Sequence, residues 1–136
     1  MTNQSGNMPI STSSSSSTGS TGTKPGVSVV IPVLNEEKNL AATIRSISSQ
    51  NYSGEIEIIL ALGPSTDKTN QVANSLSKID LRIKLVTNSS GKTPAGLNLA
   101  IKSAKFDLIC RIDAHSEIPT TYITDAVSIM QNTGAV

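Results

Sequence analysis

From Val27 onward, continuous apolar runs alternate with segments whose apolar positions recur every third or fourth residue. VSVVIPV (27–33) is short and rich in β-branched residues, and reads as a buried strand. In LNEEKNLAATIRSISSQ, which follows, Leu40, Ile44 and Ile47 recur at helical spacing. Asn35 is placed to cap that helix, with Glu36 and Glu37 in its first turn. EIEIILAL (55–62) is a second strand. GPSTDKTNQVANSLSKI opens with a cap signal at Ser65 or Thr66 and continues as a helix with Val72, Leu76 and Ile79 on one face. RIKLVTN (82–88) is a third strand. KTPAGLNLAIKSAK is a third helix, since Pro94 is tolerated in a first turn. FDLICRID (106–113) and PTTYITDAVSIMQN (119–132) complete a strand and a helix.

The order βαβαβαβα with mostly apolar strands predicts an α/β fold: a Rossmann-like parallel sheet with helices on both faces. Such open sheets bind ligands at the carboxyl ends of their strands. Three polar connections fall there: PVLNEE, LGPSTD and DAHSE.

Composition shortens the folded part. Residues 1–26 are dominated by Ser, Thr, Gly and Asn, with STSSSSSTGSTGT at their centre. They have little to bury and are expected to form a disordered leader, which leaves residues 27–136 as one domain with a modest core. The leader lacks the charged start and apolar centre of a secretory signal. Net charge is +1, and the aromatics are two tyrosines and one phenylalanine. Without a basic stripe or stacking aromatics, nucleic acid is not an expected partner. The lone Cys110 can form no intrachain disulfide, which fits a reducing compartment. No apolar run is long enough to cross a bilayer.

The richest stretch is LICRIDAHSEIP (108–119), where an apolar run ends in Asp113, followed two residues later by His115, the only histidine. Two apart on an extended segment, the side chains would share a side and could share a divalent cation. A mixed oxygen–nitrogen pair tolerates manganese better than magnesium. The plain alternative is a turn with a solvated histidine. Asn35 and Glu36 could meet a ligand's hydrogen-bonding edge or serve only the helix start. Ser65, Thr66 and Asp67 could be no more than caps. Lys92, beside a glycine and a helix N-terminus, could hold phosphate or be a solvated loop lysine. Neither G-x-G-x-x-G after the first strand nor G-x-x-x-x-G-K-[ST] occurs, nor does a nucleophile elbow or a second histidine for zinc. These absences remove support for common dinucleotide, P-loop, serine-hydrolase and zinc-hydrolase readings.

In order, VSVVIPVLNEEKNLAATIRSISSQNY, EIEIILALGPSTDKT, GKTPAGLNLAI and LICRIDAHSEIP closely resemble the amino-terminal half of family 2 glycosyltransferases with the GT-A fold. The resemblance implies transfer of a sugar, with inversion, from a nucleotide-diphosphate donor to an acceptor hydroxyl on a glycan or lipid-linked sugar. It implies that Pro32, Asn35, Glu36 and Asp67 hold the base and ribose, and that Lys92 and Asn98 lie near the diphosphate or sugar. Asp113 and His115 match the first and third positions of the Asp-x-Asp motif, which binds the donor diphosphate with a divalent metal, Mn2+ or Mg2+. Three departures stand out. His115 replaces an aspartate. Leu62 replaces an aspartate that reads the base. The acceptor half and its carboxylate general base are expected beyond residue 136, so this chain would supply the donor half, either truncated or completed by a partner chain. A catalytically inactive nucleotide-binding module and a non-functional fragment are the alternatives. The expected location is the cytoplasm, with membrane association through partners.

Overall fold

The computed structural model describes residues 24–133. Residues 1–23 of the expected leader lie outside the described residues. The elements are β1 (Val27–Val33), α1 (Leu40–Ser48), β2 (Ile56–Leu62), α2 (Thr69–Ile79), β3 (Ile83–Thr87), α3 (Thr93–Lys102), β4 (Leu108–Arg111) and α4 (Tyr122–Thr133). The four strands form one parallel sheet in the order β3-β2-β1-β4.

The central strands are buried on both faces, so their sequences read as continuous apolar runs. Val27, Val29, Ile31 and Val33 of β1 pack in one cluster with Leu40, Ile44 and Ile47 of α1, Ala73 of α2, and Ile123 and Val127 of α4. Val30, with Ile59 and Ala61 of β2, packs on Ala100 and Leu97 of α3 across the sheet. The expected two-faced architecture is therefore present, with three helices on one side and one on the other. Pro32 fits a central strand because of where β4 stops. Val27 and Val33 bond towards β2 and Val30 towards β4, so alternation turns the nitrogen of Pro32 towards β4. The pairing of β4 with β1 ends at Val30 and Arg111, so the missing N–H interrupts no ladder bond.

One polar cluster sits beneath α3 near the amino ends of the strands. The Ser28 hydroxyl donates to Glu57 Oε2 at 2.6 Å, and the Lys105 N–H donates to the same oxygen at 2.7 Å. Lys84 Nζ lies 3.1 Å from Oε1. Burial pushes the Glu57 carboxyl up, but these hydrogen bonds and the Lys84 charge outweigh it and hold it below the usual range.

Three boundaries differ from the sequence expectation. Helix α1 begins at Leu40 rather than after Asn35: Asn35 lies in the left-handed region at φ +53°, and residues 37–39 form a separate turn whose Asn39 N–H bonds the Glu36 carbonyl. Glu36 and Glu37 therefore stand outside its first turn. Helix α2 begins at Thr69, since Ser65 and Thr66 are engaged by Asn35 and Asp67 accepts the Thr69 N–H. Strand β4 stops at Arg111, and the Ser116 N–H bonds the Asp113 carbonyl at 3.1 Å. Asp113 and His115 thus belong to a hydrogen-bonded turn, not to an extended segment. Among the described residues no helix is long and apolar enough to cross a membrane.

Candidate functional site

The connections after β1, β3 and β4 surround a cleft of about 250 Å³ at the carboxyl end of the sheet. Pro32, Val33, Leu34 and Glu36 line it from β1. Asn88, Gly91 and Thr93 line it from β3 and α3, and Arg111, Asp113, Ala114 and His115 from β4. The connection after β2 supports this cleft from behind.

That support is a clasp between two loops. The Asn35 N–H donates to Ser65 Oγ at 2.9 Å, and Asn35 Oδ1 accepts the Thr66 N–H at 2.8 Å. The Glu36 N–H donates to the buried Thr69 hydroxyl at 2.8 Å, and the Glu37 N–H to Asp67 Oδ2 at 3.3 Å. The Thr69 hydroxyl donates in turn to Asp67 Oδ1. That bond, and after it the N–H groups of Thr69 and Glu37, hold the Asp67 carboxyl below the usual carboxylate range against its desolvation. Left-handed backbone at Asn35 and three N–H groups turned outward let β1 grip the start of α2.

The β4 connection is held from two sides. Arg111 reaches Asp113 Oδ1 with Nη2 at 3.1 Å and Nε at 3.3 Å. His115 Nδ1 lies 3.0 Å from Glu36 Oε2, and Asn39 Nδ2 donates to Glu36 Oε1 at 3.1 Å. The Thr43 hydroxyl of α1 donates to the Ala114 carbonyl at 2.9 Å. In the β3–α3 connection Gly91 has φ +71°, a conformation that suits glycine. The Asn88 side chain, nearly fully buried, donates to the Lys92 carbonyl at 2.9 Å and fixes that turn.

Of the residues singled out from sequence, Pro32, Glu36, Asp113 and His115 share the cleft wall. Asn35 and Asp67 belong to the clasp. Lys92 precedes α3 between the lining residues Gly91 and Thr93, and Asn98 is exposed on α3 outside the lining. Sequence reasoning missed Arg111, Asn88 and Thr69. The signal for Arg111 was its place two residues before Asp113 at a strand end, but that spacing does not fix the pairing until the turn is placed. The roles of Asn88 and Thr69 depend on contacts between loops distant in sequence. Among the described residues no three His, Cys, Asp or Glu side chains gather into a closed metal site. Asp113 Oδ2 and His115 Nε2 have no hydrogen-bond partner among the described residues. One oxygen and one nitrogen donor at the cleft fit a cation that takes its other ligands from a bound diphosphate or water.

Residues 28–136 match Glycosyl transferase family 2. The chain belongs to this family. It is 32% identical over 109 residues to the succinoglycan biosynthesis protein ExoA of Rhizobium meliloti (strain 1021), covering 79% of this chain and 33% of that protein. It is 31% identical over 114 residues to an N-acetylglucosaminyltransferase of Bradyrhizobium elkanii, covering 79% of this chain and 61% of the relative. The family 2 fold recurs in the crystal structure of S. aureus TarS 1–349 in complex with UDP-GlcNAc. There the TM-score is 0.66 at 25% identity, over 78% of this chain and 31% of that one. The matched region thus spans about a third of ExoA and of the TarS fragment. The Leu62 departure also has a structural reading: its side chain ends β2 as part of the buried core, and as a hydrocarbon it offers no acceptor to a base.

Proposed function

We propose that this family 2 chain binds a nucleotide-diphospho-sugar and supplies the donor side of an inverting sugar transfer to an acceptor hydroxyl on a glycan or lipid-linked sugar. The observation that carries this reading is the cleft itself, where Asp113, His115 and Arg111 from β4 face Pro32 and Glu36 from β1. The likeness to TarS, whose structure contains UDP-GlcNAc, supports a nucleotide-sugar ligand.

In such a transfer the acceptor oxygen forms a bond to the anomeric carbon from one face. The bond from that carbon to the diphosphate breaks on the other, and the diphosphate leaves with the electron pair. A general base takes the hydroxyl proton. The cleft residues are donor-side groups, and the base belongs to the acceptor side. A divalent cation, Mn2+ or Mg2+, held by Asp113 and His115 would supply positive charge against the leaving group. Arg111 adds a fixed guanidinium at the same wall, and Lys92 and Asn98, from α3 and its approach, would meet the diphosphate or sugar. Pro32 shapes the floor beneath the base. Asn35 and Asp67 hold the wall through the clasp.

Thermal unfolding with a panel of nucleoside diphosphates, each with and without Mn2+, tests the reading. A ligand that binds only the folded state at ~100 times its Kd adds about 2.7 kcal/mol. One nucleotide should raise the midpoint in a Mn2+-dependent way, and Asp113→Asn should abolish the rise. A cooperative transition that no nucleotide moves would overturn the donor-site reading. Nucleotide binding without turnover, when an acceptor-side partner is added, would favour a catalytically inactive binding module.

A further inference from the structure

The contact between Glu36 and His115 joins two residues 79 positions apart. Glu36 is the sheltered partner, with 19% of its side chain exposed against 61% for His115. Its conformation is held by contacts other than the imidazole. The Glu36 N–H is bonded to Thr69, its carbonyl accepts the N–H groups of Asn39 and Leu40 at 3.0 Å, and Oε1 takes the Asn39 amide. The free oxygen, Oε2, is the one that meets Nδ1. An ionised carboxylate only accepts hydrogen bonds, so a 3.0 Å contact requires the ring proton on Nδ1. In a neutral ring the lone pair then resides on Nε2, which has no partner among the described residues.

We propose that Glu36 is a positioning residue: it holds His115 as the Nδ1–H tautomer and so reserves Nε2 as the donor nitrogen of the cleft. Carboxylates commonly orient metal-binding histidines in this way. Glu36 then acts through the imidazole and not by contact with a nucleotide. A consequence, which rests on the donor-site reading, is that a bound cation would be ligated by nitrogen as well as oxygen. Mn2+ should then be accepted in preference to Mg2+, which favours an all-oxygen shell.

His115 is the only histidine of the chain, so imidazole 15N–1H correlation spectra of the full chain report one ring. At about pH 9, well above the ordinary imidazole range, the wild type should show a protonated Nδ1 and an unprotonated Nε2. Free imidazole side chains favour the opposite tautomer, and Glu36→Ala should restore it. Glu36→Asp, with a shorter carboxylate, should return part of the Nδ1–H population. Substoichiometric Mn2+, added without nucleotide, should broaden Hδ2 and Hε1, which both neighbour Nε2, and equimolar Mg2+ should not compete it away. A wild type with its proton on Nε2 would overturn the proposal, whether or not Glu36→Ala folds. So would an Nδ1–H tautomer that persists in a folded Glu36→Ala chain. Neither ring-proton result depends on nucleotide binding, so failure here and failure of the donor-site reading are separate outcomes.

Discussion

Asn35 combines two features that substitutions can separate: φ of +53° and a side-chain oxygen that accepts the Thr66 N–H at 2.8 Å. Alanine and glycine both remove the oxygen. The Thr66 N–H is exposed and water can replace the lost acceptor, so that loss costs about 0.5–1.5 kcal/mol, nearer the lower end. Alanine must also carry a Cβ in the left-handed region, at ~1 kcal/mol or somewhat more. Glycine carries no such strain. The expected destabilisation is therefore roughly 1.5–2.5 kcal/mol for Asn35→Ala; because glycine also frees the unfolded chain, Asn35→Gly should be equal to it or less damaging by up to about 0.6 kcal/mol. The ordering matters more than either size. At ordinary backbone positions glycine is the less stable by about 0.4–1 kcal/mol, because the unfolded chain gains freedom. Urea unfolding with linear extrapolation measures both variants, and unchanged slopes would confirm that the unfolded state is comparable. A difference of 1 kcal/mol corresponds to about 4–8 °C in midpoint for domains of 60–100 residues. If Asn35→Gly proves less stable than Asn35→Ala by about 0.4–1 kcal/mol, as at an ordinary position, the left-handed backbone of the clasp is not a feature of the molecule.

Two further predictions follow from the clasp and the polar cluster. Thr69→Val removes the acceptor of the Glu36 N–H and the donor to Asp67; a loss of about 1–3 kcal/mol is expected in urea unfolding. The same variant should raise the Asp67 pKa measured by carboxyl 13C shifts, and no rise would rule out the hydroxyl as the main cause. Glu57 has a folded pKa below its unfolded one, so the folded state binds fewer protons and stability rises with pH across that interval. Its contribution should be complete above the ordinary glutamate value of ~4.3 and fade as pH falls through the lower folded value. Unfolding free energies between about pH 3 and 6 should show a shallower slope in Glu57→Gln. Equal slopes would mean that other carboxylates carry the acid sensitivity.

Strand and helix order was legible because burial on both faces leaves a chemical mark: VSVVIPV and EIEIILAL need no partner to be read as buried strands. Rossmann-like α/β topology followed from that order, and with it the end of the sheet where a ligand would sit. The same reasoning brought Asp113 and His115 to the site, but by a path the structure alters. They share the cleft because a turn after β4 folds back over α1, held by Thr43 and Ser116, and not because an extended strand aligns them. The helix starts were misjudged for a related reason. Asn35, Ser65 and Thr66 are good caps in isolation, but here they bind one another across 30 or 31 positions, and each helix begins later.

The sequence by itself determined the layers, the sheet and the side of it that carries chemistry, since each depends on local periodicity and on which residues must leave water. Only the tertiary structure decided which polar groups are partners: Arg111 with Asp113, Glu36 with His115, Thr69 with Asp67. Two of these pairs join neighbours two positions apart, a spacing at which many geometries are open until the surrounding loop is placed. The third spans most of the folded chain, and forms because β1 and β4 lie side by side in the sheet.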